Sequence, residues 1–265
     1  MTDSTISIAR LFPDLLGTYG DGGNGLILQK RLQWRGLPAE LIDVPSGEPI
    51  PESCDLYLLG GGEDAPQIEA ARCLGHDGPL HRAVERGAVV LAVCAGMQIL
   101  GHSFPDAEGK SVDGLGLLDC ETVKSDEPRA VGELLVDPLD DGVAAGLPVL
   151  TGFENHGGRT RPGPTAIPLG VVRAGVGNGD GTEGVTNQLG AGKVIGTYLH
   201  GPLLARNPAL ADRLLSWVIG DPAAFHPIDD REAELLRADR LRAIAHGRTD
   251  GVVHRTWKDR LLRRN

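Results

Sequence analysis

Apolar runs alternate with helical patterns over the N-terminal part of the chain, and this alternation predicts an α/β fold with a mostly parallel central sheet. The run Ala88–Val93 is wholly apolar, as in a parallel strand that is buried on both faces. One helical pattern follows the glycine turn at 20–24 and ends near Gly36, and another covers 66–86 with a break at Gly75–Gly78. The predicted strands of this part are Ile6–Arg10, Ala39–Val44, Asp55–Leu59 and Ala88–Val93.

The pattern changes to short strands and glycine turns between about residue 115 and residue 200. Two amphipathic helices follow, at Asn207–Ile219 and Glu232–Ala245, with Asn207 as the N-cap and Pro208 as the first residue of the former. The predicted strands of this part are Leu117–Lys124, Gly132–Val136, Val149–Glu154, Leu169–Val172 and Lys193–Leu199.

Composition and charge exclude several classes of protein. The 265 residues are 41% hydrophobic and 23% charged, which is ordinary for a soluble globular protein. No run approaches the roughly 18 apolar residues of a membrane span, and no apolar signal segment begins the chain, so we expect a cytoplasmic protein. The net charge of −10 argues against nucleic acid as a partner.

The charge is unevenly distributed. Residues 231–265 hold ten Lys and Arg against five Asp and Glu, a net charge of +5, so the first 230 residues carry −15. Two interpretations stay open for this basic segment: a contact with an acidic partner or a membrane surface, or a solvated helix with a frayed end.

The four cysteines lie far apart, without a Cys-x-x-Cys string or paired histidines, so no metal site is predicted. In a cytoplasmic protein they are expected to be reduced thiols. Cys54, Cys73 and Cys120 are expected to pack as small hydrophobic residues. Cys94 has a different context.

Cys94 directly follows the apolar strand and precedes Ala95, Gly96 and a helical pattern. This order of strand, nucleophilic side chain and helix is typical of a nucleophile elbow. The small residues permit a strained turn that raises the sulfur above the sheet edge, and the helix N-terminus favours the reactive thiolate. The Ala95 N–H could also bind a developing oxyanion. Taken alone, the motif is equally compatible with a buried structural cysteine.

His200 ends a second apolar strand, and the glycines at 60–62 end a third. Strands of an α/β sheet present their carboxyl ends at one edge, where Cys94 and His200 can meet. There the histidine can act as base for the thiol and as acid for the leaving group. Glycines at a strand end let backbone amides face a ligand without a Cβ atom between them. The pair of side chains favours a catalytic interpretation over two structural residues.

With these features the chain resembles the class I glutamine amidotransferases, and within them the CobB/CobQ type. It resembles most the glutaminase subunits of lipid II isoglutaminyl synthases, which work with a Mur-ligase-like subunit. The resemblance covers residues 5–220, taken as one amidotransferase domain, and leaves 221–265 as a helical, basic extension. It implies the three-layer fold of this class around the mostly parallel central sheet. The strings that carry it, besides those around Cys94 and His200, are Leu11–Asn24, Arg31–Gly36, Gly60–Asp64, Asn155–Thr160 and the glycine-rich 175–184.

The resemblance implies a role for five residues. Cys94 would attack the side-chain amide of glutamine, forming a thioester and releasing ammonia, with His200 as its acid and base partner. The backbone N–H groups of Gly62 and Ala95 would form the oxyanion hole. Arg129 would bind the α-carboxylate of glutamine, for which a guanidinium fork is suited; a surface arginine is the alternative for this residue.

Two positions depart from the pattern of most class I members. Ala92 stands two residues before the cysteine where they have glycine, and Ala is small enough for the elbow to form. Pro202 stands two residues after the histidine where they have the glutamate that orients it. CobB/CobQ-type chains generally lack this glutamate. Either another residue of this chain or a carboxylate of the partner must then hold the ring in the right tautomer.

No cofactor is expected in this chain. The stretch Phe104–Ser111 ends in Gly-Lys-Ser like a P-loop, but Phe104 replaces the first glycine, so no nucleotide site is predicted. ATP and Mg²⁺ are therefore expected on the Mur-ligase-like subunit. With it the chain would form a heterodimer that takes ammonia from L-glutamine and amidates the D-glutamate α-carboxyl of lipid II. A tight, dry interface would protect the ammonia.

Three alternatives remain: a CobB/CobQ-type amidotransferase for another acceptor, a non-catalytic scaffold subunit, and a Cys-His peptidase or hydrolase. Among the remaining residues, His156 is expected in a turn and the loop 175–181 is expected to be mobile and near the site. For Asp21 and Asn24, in the first glycine turn, the sequence leaves open whether they face the partner or a ligand, and no role is assigned.

Overall fold

A computed structural model describes residues 5–220 and 225–245 of the chain. The strands are Ile6–Leu11 (β1), Ala39–Val44 (β2), Leu56–Leu59 (β3), Val89–Val93 (β4), Ser103–Pro105 (β5), Ser111–Asp113 (β6), Cys120–Lys124 (β7), Ala130–Pro138 (β8), Leu150–His156 (β9), Gly158–Pro162 (β10), Gly170–Ala174 (β11), Thr182–Glu183 (β12), Val185–Leu189 (β13) and Gly192–Thr197 (β14). The helices are Gly23–Trp34 (α1), Asp64–Leu74 (α2), Pro79–Glu85 (α3), Ala95–Leu100 (α4), Leu203–Arg206 (α5), Pro208–Ile219 (α6) and Arg231–Ala245 (α7).

The centre of the molecule is a six-stranded sheet in the order β13-β14-β4-β3-β1-β2. All neighbours in it are parallel except the β13–β14 pair, so the expected mostly parallel sheet is confirmed. Every residue of β3 and β4 is buried, as expected for a sheet covered on both faces. Among the helices that pack around the sheet, α1, α5 and α6 contact one another. Helix α2 contacts α4.

Two smaller sheets were not predicted, with strand orders β10-β7-β5-β6 and β12-β11-β8-β9. The sequence missed β5, β6, β10, β12 and β13. Strands β5 and β6 have three residues each, which is too short for an alternating pattern to stand out. The Gly-Lys-Ser string lies at this β5–β6 hairpin rather than before a helix, in contrast to a P-loop.

The predicted break in the second helical region is confirmed, because α2 ends before Gly75 and α3 begins at Pro79. Asn207 and Pro208 also begin α6 as predicted. The Asn207 side chain, however, makes no capping hydrogen bond with the helix. It bonds instead to the backbone of Thr151, accepting from its N–H at 2.9 Å and donating to its carbonyl at 2.8 Å, and so ties α6 to β9.

Charged contacts help to hold the C-terminal segment on the rest of the molecule, and Phe225 also packs partly buried against the core. None of the described residues of α7 is buried. The Arg31 guanidinium pairs with Asp212 at 2.6 Å and with Asp230 at 2.7 Å, and Arg240 pairs with Glu133 at 3.0 Å. The rest of the predicted basic extension, 221–224 and 246–265, lies outside the described residues.

All four cysteines are free thiols. Cys54 and Cys120 lie in the hydrophobic core and Cys73 packs against it half-buried, as predicted. Within the described ranges, no group of three or more His, Cys, Asp and Glu side chains could hold a metal ion. No helix in the described part of the chain has the length and hydropathy to cross a bilayer.

Candidate active site

Cys94 occupies the turn between β4 and α4. Its backbone, with φ 52° and ψ −108°, lies outside the regions that residues with a Cβ atom ordinarily adopt. The Cys94 N–H donates to the Thr197 carbonyl of β14 at 2.8 Å, which ties the turn to the neighbouring strand. Ala92 is completely buried in β4 and pairs with Leu59 and Gly196, so the turn forms without the usual glycine at that position. Such strain is typical of a nucleophile elbow.

His200 follows β14, the strand parallel to and paired with β4, and therefore lies at the same edge of the sheet as Cys94. Its ring is completely buried. The His200 backbone exchanges two hydrogen bonds with Phe153 of β9, of 2.9 and 3.1 Å. The structure thus brings the two predicted side chains to one place from strands distant in sequence.

Asp21 holds the His200 ring, and sequence reasoning gave this residue no role. The Asp21 Oδ2 atom lies 2.8 Å from His200 Nδ1 and also accepts the Gly61 N–H at 2.9 Å. The carboxylate is buried. Pro202, at the position of the usual glutamate, instead lies against the glycine turn, where a Cβ atom at Gly23 would come within 2.5 Å of it. The sequence left open whether this chain or the partner supplies the carboxylate that orients His200. In the structure, Asp21 of this chain supplies it.

The two nitrogens of the His200 ring differ in their surroundings. Nδ1 faces Asp21, whereas Nε2 has no hydrogen-bond partner among the described residues. Burial by itself lowers the pKa of His200, but the interactions with Asp21 and Cys94 outweigh it and raise the pKa to about 10. The ring therefore stays protonated at neutral pH, and the proton on Nε2 is available for transfer to and from a thiol or a leaving group.

The loop at Gly60–Gly62 packs too tightly for larger residues. A Cβ atom at Gly60 would lie 2.6 Å from the Leu16 carbonyl oxygen, and one at Gly61 would lie 2.6 Å from His200 Cε1. A Cβ atom at Gly62 would lie 3.9 Å from the Ala95 Cβ, so the two residues are neighbours. In the described part of the chain, neither the Gly62 nor the Ala95 N–H finds a hydrogen-bond acceptor. Both amides border the same cavity as Cys94 and could donate to an oxyanion there.

This cavity has a volume of about 280 Å³ and opens beside Cys94. Arg129 lies exposed on its wall, where its Nε donates to Asn155 Oδ1 at 2.5 Å and its Nη2 donates to the Asn155 carbonyl at 3.2 Å. Other charged residues on the wall are Asp64, Asp106, Lys124 and Glu127. The cavity combines a sulfur nucleophile, two unpaired amides and a guanidinium, which suits a small substrate with a carboxylate.

Buried polar side chains form a network behind the cavity. Gln67 donates to Gln98 at 2.9 Å, Gln98 donates to the Tyr198 hydroxyl at 3.0 Å, and that hydroxyl lies 2.7 Å from Thr160 Oγ1. The His156 ring stacks on Tyr198 with 3.6 Å between centroids. The prediction of His156 as a turn residue was wrong: it ends β9 and is buried, because this stacking and a 3.3 Å contact with Glu154 satisfy it inside the protein.

The glycine-rich loop 175–181 is held in place by hydrogen bonds from its backbone to Glu154 of β9. Glu154 accepts the Val176 N–H at 2.8 Å and the Gly177 N–H at 2.9 Å. Asn24, in the first turn of α1, is buried and accepts the Leu204 N–H at 2.9 Å. The first two contacts tie the loop to β9, and the third ties α1 to α5.

Glu183 anchors the end of β14 just before His200. It is completely buried, and its Oε1 accepts from Thr197 Oγ1 at 2.6 Å and from the Tyr198 N–H at 2.8 Å. Its Oε2 has no partner among the described residues. Burial raises the pKa of Glu183 from 4.5 to about 7.

We expect the stability of the protein to fall as the pH rises from 4.5 to about 7, because Glu183 ionises in the unfolded chain before it does in the folded one. At about 1.4 kcal/mol per pKa unit the loss is on the order of 3 kcal/mol. The substitution Glu183→Gln should remove this contribution. Urea unfolding at several pH values measures it, with the exposed Glu121→Gln as control. Parallel stability profiles for wild type and E183Q would contradict the assignment.

Comparison with known proteins identifies the family. Residues 7–208 match the CobB/CobQ-like glutamine amidotransferase domain. The chain is 34% identical over 236 residues to the glutamine-hydrolysing lipid II isoglutaminyl synthase subunit GatD of Staphylococcus aureus, covering 87% of this chain and 92% of that one. It is 34% identical to the GatD subunit of Streptococcus pneumoniae, covering 80% of this chain and 79% of that one.

A solved structure shows the same fold. A glutamine amidotransferase from Thermotoga maritima superimposes with a TM-score of 0.52 at 17% identity, covering 91% of this chain and 92% of the other. The expected amidotransferase-like fold is thereby confirmed. The match over residues 7–208 and the identity to both GatD subunits show that this chain belongs to the CobB/CobQ-like family of glutamine amidotransferases.

Proposed function

We propose that this chain is the glutaminase subunit of a lipid II isoglutaminyl synthase, in the role of GatD. It hydrolyses L-glutamine and delivers ammonia to a Mur-ligase-like subunit, MurT, which amidates the D-glutamate α-carboxyl of lipid II in the cytoplasm. The observation that carries the proposal is the placement of the Cys94 elbow and the Asp21-held His200 at one sheet edge, beside a cavity that fits glutamine. The identity to GatD along most of both chains supports the choice of acceptor.

Catalysis begins with glutamine in the cavity, its α-carboxylate on the Arg129 guanidinium. Cys94, paired as thiolate with the His200 imidazolium, attacks the side-chain amide carbon. The negative charge that develops on the amide oxygen is stabilised by the N–H groups of Gly62 and Ala95. His200 then donates its Nε2 proton to the leaving nitrogen, so that ammonia departs and a thioester on Cys94 remains.

The second half of the reaction returns the enzyme to its starting state. His200, now neutral, takes a proton from a water molecule, and the resulting hydroxide attacks the thioester carbonyl. The same two amides stabilise the second oxyanion. Its collapse breaks the carbon–sulfur bond, releases glutamate and restores the thiolate of Cys94. Throughout, Asp21 fixes the tautomer and orientation of the ring and stabilises its positive charge.

The partner supplies the steps that this chain is not equipped for. Activation of a carboxylate needs ATP and Mg²⁺, and we assign both to the Mur-ligase-like subunit of a heterodimer. The Gly-Lys-Ser string supports this division, because it lies at a short hairpin and not at the N-terminus of a helix.

An ammonia-transfer assay tests the proposal. The full chain is purified together with the Mur-ligase-like subunit and given ATP, Mg²⁺, a lipid II acceptor and either amide-labelled glutamine or labelled ammonium. We expect the label from both sources to appear in the acceptor. With Cys94→Ala, transfer from glutamine should stop while transfer from ammonium continues.

Two results would overturn the proposed function. Transfer from glutamine that persists with C94A would exclude Cys94 as the source of ammonia. Glutamine hydrolysis without amidation of lipid II would favour a CobB/CobQ-type enzyme for another acceptor.

A further inference from the structure

Tyr19 covers the His200 ring from the outside. It lies in the loop between β1 and α1, and its ring packs edge-on against the imidazole, with 5.0 Å between centroids and 64° between planes. The histidine is completely buried while the tyrosine is 44% exposed, so the tyrosine forms the outer surface at this point. The Tyr19 φ angle of 58° is rare for a residue with a large side chain and shows that the loop is held in this shape.

The Tyr19 hydroxyl is linked to the arginine on the cavity wall through one amide. Arg129 Nε can only donate, so the Asn155 oxygen must face it, at 2.5 Å. The Asn155 Nδ2 then faces the Tyr19 hydroxyl and donates to it. Arg129 therefore sets the orientation of the amide, and the hydrogen bond to the Tyr19 hydroxyl holds the Asn155 side chain in position beside Arg129.

We propose that Tyr19 is a positioning residue with two functions, in which its ring seals His200 from water and its hydroxyl, through Asn155, holds Arg129 at the proper distance from the reacting thiol. This inference rests on the proposed glutaminase function and adds two residues to its site. Tyr19 and Asp21 belong to the same short loop, so one loop covers the histidine and also orients it.

Two substitutions separate the two functions. Tyr19→Phe keeps the ring and removes the hydroxyl, and we expect it to raise KM for glutamine about fivefold, the effect of one lost hydrogen bond, with kcat within about twofold of wild type. Tyr19→Ala also removes the cover, and kcat should fall at least about tenfold. A diazo-ketone analogue of glutamine that alkylates Cys94 gives a second measurement without turnover. We expect Y19F to weaken binding of the analogue and Y19A to slow the alkylation of Cys94 as well.

Asn155→Ala tests the link itself. It should reproduce the KM effect of Y19F, and the double variant should be no worse than either single one, because both break the same chain of contacts. Trp34→Ala, which removes another exposed aromatic ring, serves as the control that leaves both constants unchanged. Circular dichroism verifies that each variant is folded.

The inference is overturned if Y19A behaves like the Trp34 control, or if the Y19F and N155A effects simply add. A wild-type chain that neither hydrolyses glutamine nor reacts with the analogue would contradict the proposed function instead. The two failures are therefore distinguishable.

Discussion

Replacing Cys94 with alanine or serine is expected to lower the rate of glutamine hydrolysis by more than about 10⁴-fold. Alanine removes the nucleophile, and serine replaces the thiol by a hydroxyl, a much weaker acid that the histidine does not readily deprotonate. The fold should persist, because either residue fits the turn between β4 and α4 and the Cys94 N–H keeps its bond to Thr197. Release of ammonia by the purified chain measures the effect.

Cys73→Ser is the matched control for these variants. This cysteine is free and half-buried, and it lies in α2 away from the cavity, so the substitution should leave hydrolysis unchanged. If C94A or C94S kept a rate within tenfold of wild type, the scaffold interpretation of the fold would be favoured over the enzymatic one.

Asp21→Asn is expected to lower kcat by about 10²- to 10⁴-fold while leaving the structure in place. The asparagine oxygen can take the position of Oδ2, which accepts from both His200 and Gly61. Its amide nitrogen then takes the position of Oδ1, which has no partner among the described residues. The geometry is kept and the negative charge is lost.

The loss of this charge also has a defined pH signature. Asp21 raises the pKa of His200, so removing its charge lowers that pKa and the imidazolium loses its proton at lower pH. The alkaline limb of the kcat/KM profile should therefore move to lower pH in D21N. The exposed Asp113→Asn should leave the profile unchanged. If neither the alkaline limb of the pH profile nor the rate changed in D21N, a carboxylate of the partner, rather than Asp21, would orient His200.

Local sequence patterns were sufficient for the parts of the site that depend on neighbouring residues. Strand β4, the turn at Cys94 and the start of α4 form one continuous stretch, and a wholly apolar run followed by small residues predicted this strand and turn. Only the pairing with His200 then favoured a catalytic cysteine over a structural one. His200 could be placed for the same reason, because it follows another buried strand, β14. The assignment of Arg129 to the substrate carboxylate came from family resemblance and not from any local pattern.

Asp21 could not be found in this way. It meets His200 across 179 positions of sequence, and an aspartate among glycines is indistinguishable from an ordinary turn residue. The same holds for Tyr19 and Asn155, which meet only because β9 and the loop after β1 converge in the folded chain. His156 was misplaced because β9 continues through a polar segment whose burial depends on long-range partners.

The most direct test of the account is to look for the covalent intermediate. The purified chain is mixed with glutamine, quenched in acid within the first turnover, digested and analysed by mass spectrometry. We expect a glutamyl thioester on the peptide that contains Cys94 and none in C94A. Glutamate formation without this adduct, or an adduct on Cys54, Cys73 or Cys120 instead, would contradict it.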